Sequence, residues 1–150
     1  MNELQWTYKK FDQLGVDELY NILKLRSRVF VVEQTCVYLD TDDKDQLCWH
    51  LYGSDRDKVC AYARIIPPGI CFPQASIGRV ATDPSSRKYG YGRLLMETAI
   101  QRTFNEFNVA EIKIGAQLYL HAFYTSLGFR QVSPEYLEDG IPHIEMLLSI

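Results

Sequence analysis

At 150 residues the chain has the length of a single domain, 1–150, and buries roughly two thirds of the surface its unfolded form would expose, enough for one core. Its hydrophobic share of 47%, charged share of 23% and net charge of −3 describe an ordinary folded protein. They exclude a general nucleic-acid binder, which needs a basic face to displace counterions, and suit a cationic substrate such as an amine better.

At the N-terminus, Met1–Lys10 mixes charges and aromatics without the apolar centre of a signal peptide. No apolar run approaches the roughly 20 residues of a bilayer span, so a cytoplasmic protein with no membrane partner is expected. Trp6 and Tyr8 alternate with polar neighbours and predict a first strand. Asp17 reads as a helix cap, with Leu19, Ile22 and Leu23 following and the helix running as far as Phe30. From Glu33 to Gln46 the chain is acidic and irregular, with Asp40, Asp42, Asp43 and Asp45 crowded together. A solvated loop is the plain reading; a border of the cleft that favours a cationic acceptor is the other. Cys36, Cys48, Cys60 and Cys71 form no C-x-x-C pair and have no histidine at finger spacing, so no metal site is expected and the thiols are read as reduced.

Cys48–Gly53 and Lys58–Ile66 predict a hairpin across Ser54-Asp55-Arg56-Asp57. A strand over Ala75–Thr82 ends at Asp83-Pro84, where proline can donate no ladder bond. A long helix is predicted over Gly90–Phe107, with Met96, Ile100, Phe104 and Phe107 on one face. Alternation from Ala110 to Ile114 predicts a strand, Leu118–Leu127 a helix closed by Gly128, and Phe129–Val132 and His143–Leu148 a last pair of strands. A strand–helix–strand crossover over one sheet implies a parallel pair, so the class is mixed α/β.

The strand, basic glycine loop and helix start follow one another directly in Val80-Ala81-Thr82-Asp83-Pro84-Ser85-Ser86-Arg87-Lys88-Tyr89-Gly90-Tyr91-Gly92-Arg93. A helix N-terminus presents free N–H groups and partial positive charge, and glycines admit a ligand close to the backbone. Together they predict a pyrophosphate cradle, with Arg87, Lys88 and Arg93 adding charge. The loop lacks the frame of a Walker motif and the third glycine of a dinucleotide fingerprint.

Arg87-x-x-Gly90-x-Gly92 resembles the (Q/R)-x-x-G-x-(G/A) signature of the GNAT N-acetyltransferases, and Tyr124-Thr125-Ser126-Leu127-Gly128-Phe129 resembles their Y-x-x-x-G-F ending. Glu138–Met146, Arg28–Gln34 and Trp49-His50-Leu51 resemble an ElaA-like subfamily. The resemblance implies a GNAT fold: a mostly antiparallel sheet of six to seven strands with a parallel splice and about four helices. It implies acetyl-CoA as donor, with Val80, Ala81 and Thr82 along the pantetheine arm and Lys88, Tyr89, Gly90, Tyr91, Gly92 and Arg93 around the pyrophosphate. Gln117 stands where many members carry an Asn that touches the arm. Tyr124 takes the place of the general acid. Glu33, His50, Arg79, His143 and Glu145 are implied in the acceptor pocket, with His143 and Glu33 as candidate bases. Arg79 lies in an apolar strand and is expected to meet a carboxylate such as Glu33 or Glu145, whereas His121 reads as a surface residue.

The expected activity is direct transfer of an acetyl group to a primary amine, on a small molecule or a peptide, in a ternary complex. Dimers, common in that family, are left open. Two rivals stand beside it. Arg28-Val29-Phe30, the acidic loop and Ala63–Pro67 also resemble the acyl-homoserine-lactone synthases. A non-catalytic CoA-binding module would keep the glycine loop without needing Tyr124.

Overall fold

The computed structural model describes residues 3–150. Strand β1 (Gln5–Lys10) leads through a short turn into helix α1 (Val16–Arg26). The helix is capped at Gly15, whose N–H donates to the Glu18 side chain at 2.9 Å, so Asp17 lies inside the first turn and is not the cap. Beyond Arg26 the coil widens into a π-helical segment, Ser27–Glu33, which extends the predicted helix by three residues and rotates its side chains.

Strands β2 (Trp49–Asp55), β3 (Lys58–Ile66) and β4 (Ser76–Thr82) complete an antiparallel sheet in the order β1-β2-β3-β4. The hairpin and its turn fall where the sequence puts them. Helix α2 (Tyr91–Phe107) follows a 3-10 turn, Pro84–Tyr89, and crosses to strand β5 (Glu111–Gln117). The short helix α3 (His121–Ser126) ends at Gly128, whose left-handed φ of 102° lets the Phe129 N–H reach Tyr124 O at 3.1 Å. Strands β6 (Arg130–Gln131), β7 (Tyr136–Glu138) and β8 (Ile141–Ser149) close the chain, and β8 pairs with β5, β6 and β7. The described strands thus form two sheets of four, and the expected parallel splice shrinks to one bridge, Ala75 to Ile112.

The main core lies between the sheets and α2. Ile65, Ile77, Leu95, Ala99, Ile112, Ile114 and Ile144 are buried there. Of the predicted stripe Met96 is fully buried with Leu95 and Ala99, while Ile100, Phe104 and Phe107 pack against the rim. A second cluster, Ile22, Leu25, Val29, Tyr62 and Ala81, fastens α1 and the π segment to the opposite face. All four cysteines are free thiols, and no helix of the described residues is long and apolar enough to cross a membrane.

Candidate active site

Strands β4 and β5 run parallel and touch only at their beginnings, where the Lys113 N–H donates to Ala75 O at 2.9 Å. Beyond that bond they part, and a cavity of about 830 Å³ opens between them, lined by Ser76–Thr82 on one side and Ile114–Gln117 on the other. A parallel pair carries its ligands beyond its carboxyl ends, and this gap is at that end.

Strand β4 is bulged within this wall. Tyr62 faces Ala81 and Arg64 faces Gly78, so β4 carries one residue more than β3 between them. Arg79 takes the left-handed φ of 52° that this requires, an uncommon conformation for a side-chain-bearing residue.

At the end of β4, Asp83 accepts from the Ser85 N–H at 3.0 Å and Oγ at 2.7 Å, and ion-pairs with Arg28 at 2.6 Å and Lys58 at 3.5 Å. Burial opposes its ionisation, but the Ser85 bonds and these cations prevail and hold the carboxyl at about 2. The capped turn delivers Gly90 at φ 74° directly before α2, so the helix starts with its free amides beside the cavity. Gly90 is required by its backbone. Gly92 is not, because a Cβ there would meet only Thr82 Cγ2 at 3.7 Å, an ordinary contact.

Of the residues expected around the donor, Val80, Ala81, Thr82, Arg87, Gly92 and Gln117 line the cavity. Tyr91 is buried in the core, so only its backbone is available to a ligand. The cations are less free than expected. Arg87 makes a two-pronged pair with Glu33 at 2.6 and 2.7 Å, and Arg93 pairs with Glu97 at 3.0 Å. Lys88 lies over the Tyr89 ring at 5.1 Å.

Tyr124 lines the cavity and packs edge-on against Phe123 and Phe129. Burial raises its phenol well above the ordinary value, so the group remains a proton donor at neutral pH. Its hydroxyl has no hydrogen-bond partner among the described residues. His143 and Glu145 line the far wall from adjacent same-face positions of β8, as their alternation predicts. The His143 Nδ1 lies 2.7 Å from Ile141 O, and a carbonyl only accepts, so Nδ1 carries the proton. Nε2 lies 3.4 Å from Glu138 Oε2. Glu145 pairs with Lys113 at 3.1 Å.

Of the other pocket residues expected from sequence, Glu33 and His50 lie elsewhere. Glu33 is outside the cavity lining, with its carboxylate committed to Arg87. His50 is fully buried beneath the sheet. Its Nδ1 meets the Tyr62 hydroxyl at 2.7 Å and its Nε2 meets Asp45 O at 2.9 Å, which leaves no ring nitrogen for a substrate. Burial also lowers its pKa and keeps it neutral. Arg79 does line the cavity, but its carboxylates are Asp40 at 2.8 Å and Asp42 at 3.4 Å, not Glu33 or Glu145. His121 is exposed, as expected.

The plain reading of a solvated loop fails, and the loop borders the cavity through Gln34, Cys36, Tyr38 and Lys44 rather than through its aspartates. Asp40 and Asp45 are buried, and with Asp42 they are matched against Arg26, Arg64 and Arg79. Despite the cost of burial, hydrogen bonds and charge from Arg64 hold the Asp42 carboxyl below its usual range, and Arg26 does the same for Asp45. Sequence reasoning also missed Gln34, whose amide exchanges hydrogen bonds with Gln117 at 3.2 and 3.3 Å. The signal for the acidic loop was present in Arg64 and Arg79, two cations in apolar strands that need counter-charge.

Comparison with known proteins agrees with this geometry. Residues 24–150 match the family described as the acetyltransferase (GNAT) domain. A UPF0039 protein of Schizosaccharomyces pombe is 45% identical over the whole of both chains. The crystal structure of Escherichia coli ElaA superposes with a TM-score of 0.92 at 36% identity, covering 98% of this chain and 100% of that one. An acyl-CoA N-acyltransferase from Pseudomonas aeruginosa superposes at 0.93 and 38% identity with the same coverage. The CoA-dependent acyl-homoserine lactone synthase BjaI, solved with isopentyl-CoA, reaches a TM-score of 0.81 at 15% identity, a likeness of fold alone. The chain belongs to the GNAT acetyltransferase family and, within it, to the ElaA-like group.

Proposed function

We propose that this single domain transfers an acetyl group from acetyl-CoA to a primary amine, by direct transfer with both substrates bound. The observation that carries the reading is the convergence on one cavity of the parted β4 and β5 strands, the opening turn of α2 and the Tyr124 phenol. The residues present fit the donor. Gly92 leaves a space that packing within the protein does not require, and its location on α2's first turn suits an anion that must approach the amides. Gln117 keeps an amide N–H and a lone pair beyond those it shares with Gln34, enough to meet an amide of the pantetheine arm.

Acetyl-CoA supplies an activated thioester carbonyl. The chain's own residues move the protons. His143 Nε2 takes one from the attacking amine, whose nitrogen bonds to the acyl carbon as the carbon–sulfur bond breaks. Tyr124 returns a proton to the departing sulfur, and burial keeps that proton on the phenol until it is needed.

The test is thiol release from acetyl-CoA across an amine panel, paired with calorimetry. Tyr124→Phe should bind acetyl-CoA normally while turning over at least roughly tenfold more slowly, the range a positioned acid supplies. Unchanged turnover would remove Tyr124 from the mechanism. Binding without turnover by the unaltered protein would favour the non-catalytic module.

A further inference from the structure

The cavity extends past the residues that suit the donor. It is lined by Tyr38 and Lys44 of the acidic loop with Arg79 of β4, and by Glu138 of β7 with His143 and Glu145 of β8. Resting on the acetyl-transfer reading, we infer that the acceptor is an amine that also carries a carboxylate, with its anion against Arg79 and Lys44 and its amine toward His143 and Glu145.

The acidic loop does not give this lining the negative charge its sequence suggests. Asp40, Asp42 and Asp45 face three guanidinium groups, and the trio of charges is cancelled inside the protein. What the network leaves toward the cavity is one unpaired cation, Lys44, and a spare hydrogen-bond donor on Arg79. Lys44 makes no ion pair among the described residues and lines the cavity. Arg79 binds Asp40 and Asp42 through Nε and Nη2, and its Nη1 has no partner among the described residues. The side chain retains 23% of its surface, unlike Arg64 at 3% in the same network. Arg64 also borders the cavity but is almost wholly buried, whereas Arg79 keeps exposed surface and a spare donor.

The backbone supplies a second, independent observation. Arg79 is the bulged residue of β4, held at φ 52°, where a residue with a side chain costs about 1–2 kcal/mol. Bulges re-aim side chains, and backbone strain of this kind gathers at binding sites. Were the network's only requirement neutrality, a regular strand would serve it without this cost. Tyr38 fixes the group further, with its ring 5.8 Å from the Arg79 guanidinium and its hydroxyl 2.8 Å from Asp40.

The lining from β7 and β8 has the complementary character. His143 lines the cavity with Nε2 3.4 Å from the exposed Glu138 carboxylate, and Glu145, paired with Lys113, lines it from the same strand. A bare diamine would place its second ammonium against Lys44 and Arg79. A molecule bearing both an amine and a carboxylate satisfies both walls.

The experiment compares matched acceptors on the whole protein: L-amino acids of varied side chain, their carboxamides and their decarboxylated amines, with thiol release as the readout. The carboxylates should show kcat/KM at least roughly tenfold higher than their carboxamides, the scale of one charged hydrogen bond. Arg79→Gln and Lys44→Gln should raise KM for the carboxylates and erase that preference, with the acetyl-CoA Kd from calorimetry unaltered. Lys44 lies outside the buried network, so its variant remains informative if Arg79→Gln unfolds. Turnover that is equal across each set, or highest for the decarboxylated amines, overturns the inference and leaves acetyl transfer standing. Absence of turnover from the entire panel with acetyl-CoA still bound overturns the acceptor assignment. Failure to bind acetyl-CoA overturns the acetyl-transfer reading itself.

Discussion

The two walls of the cavity are built on different principles. The strip from Val80 to Phe107 is made by contacts between near neighbours: Asp83 caps the turn beside it, Gly90 sets the next bend, and α2 starts at once. The strip from Arg26 to Leu47 is made by contacts across the fold. Arg26 reaches Asp40 and Asp45, Arg64 reaches Asp42 and Asp45, and Glu33 reaches Arg87, fifty-four positions away. The first is set mainly by bonds within a turn of one another, with Asp83 and Arg87 tying it to distant residues. The second takes shape only when distant charges meet, so its stability and its pocket geometry are one property.

The largest effect expected from that difference is on stability. Asp45→Ala strands Arg26 and Arg64 in a buried site and should cost about 3–5 kcal/mol in chemical denaturation, the scale for removing one partner of a buried ion pair. A loss below about 1 kcal/mol would mean that water or rearrangement replaces the carboxylate, and the network would not be the fastener described. The glycine loop should respond in the opposite manner. Gly92→Ala has room in the fold and adds a better helix former, so stability should hold or rise. Acetyl-CoA affinity should fall by roughly tenfold, about 1.4 kcal/mol, by calorimetry. Intact affinity would show that the glycine is not there for the ligand.

A smaller effect joins the two walls. Gln34→Ala frees the Gln117 amide and should weaken acetyl-CoA binding several-fold, about 1 kcal/mol. Because Gln34 acts through Gln117, the double variant should bind no worse than Gln117→Ala alone. Additive losses would separate the two residues. The smallest effect is confined to acid. The Asp83 carboxyl sits at about 2 when folded and near 3.8 when unfolded, so its contribution is complete above about pH 4 and is lost as the pH falls through about 2. Asp83→Asn should flatten that part of the stability–pH curve, and an unchanged slope would assign acid sensitivity elsewhere.

How much of this was legible varies along the chain for the same reason. The hairpin β2–β3, the end of β4 at Asp83-Pro84, the bounds of α2 and the Gly128 stop were all readable, because each depends on residues within a turn of one another. The π-helical widening after Arg26 was not, since it answers to packing of Val29 against β3 and β4. His50 in a Trp-His-Leu strand gives no sign that both its nitrogens will be occupied, and Glu33 gives no sign of Arg87. The single splice between two sheets was predicted as a pairing, and its opening into a cavity depends on how far β5 follows β8 away from β4.

The order of elements, the glycine turn before α2 and the family signatures were written in the amino-acid sequence, because backbone preference and hydrophobic period act over a few residues. What the acidic loop presents to the cavity was decided by the tertiary structure alone. Four aspartates read as a negative loop until three arginines from a helix and two strands close on three of them, and only then does Arg79 come to line the cavity.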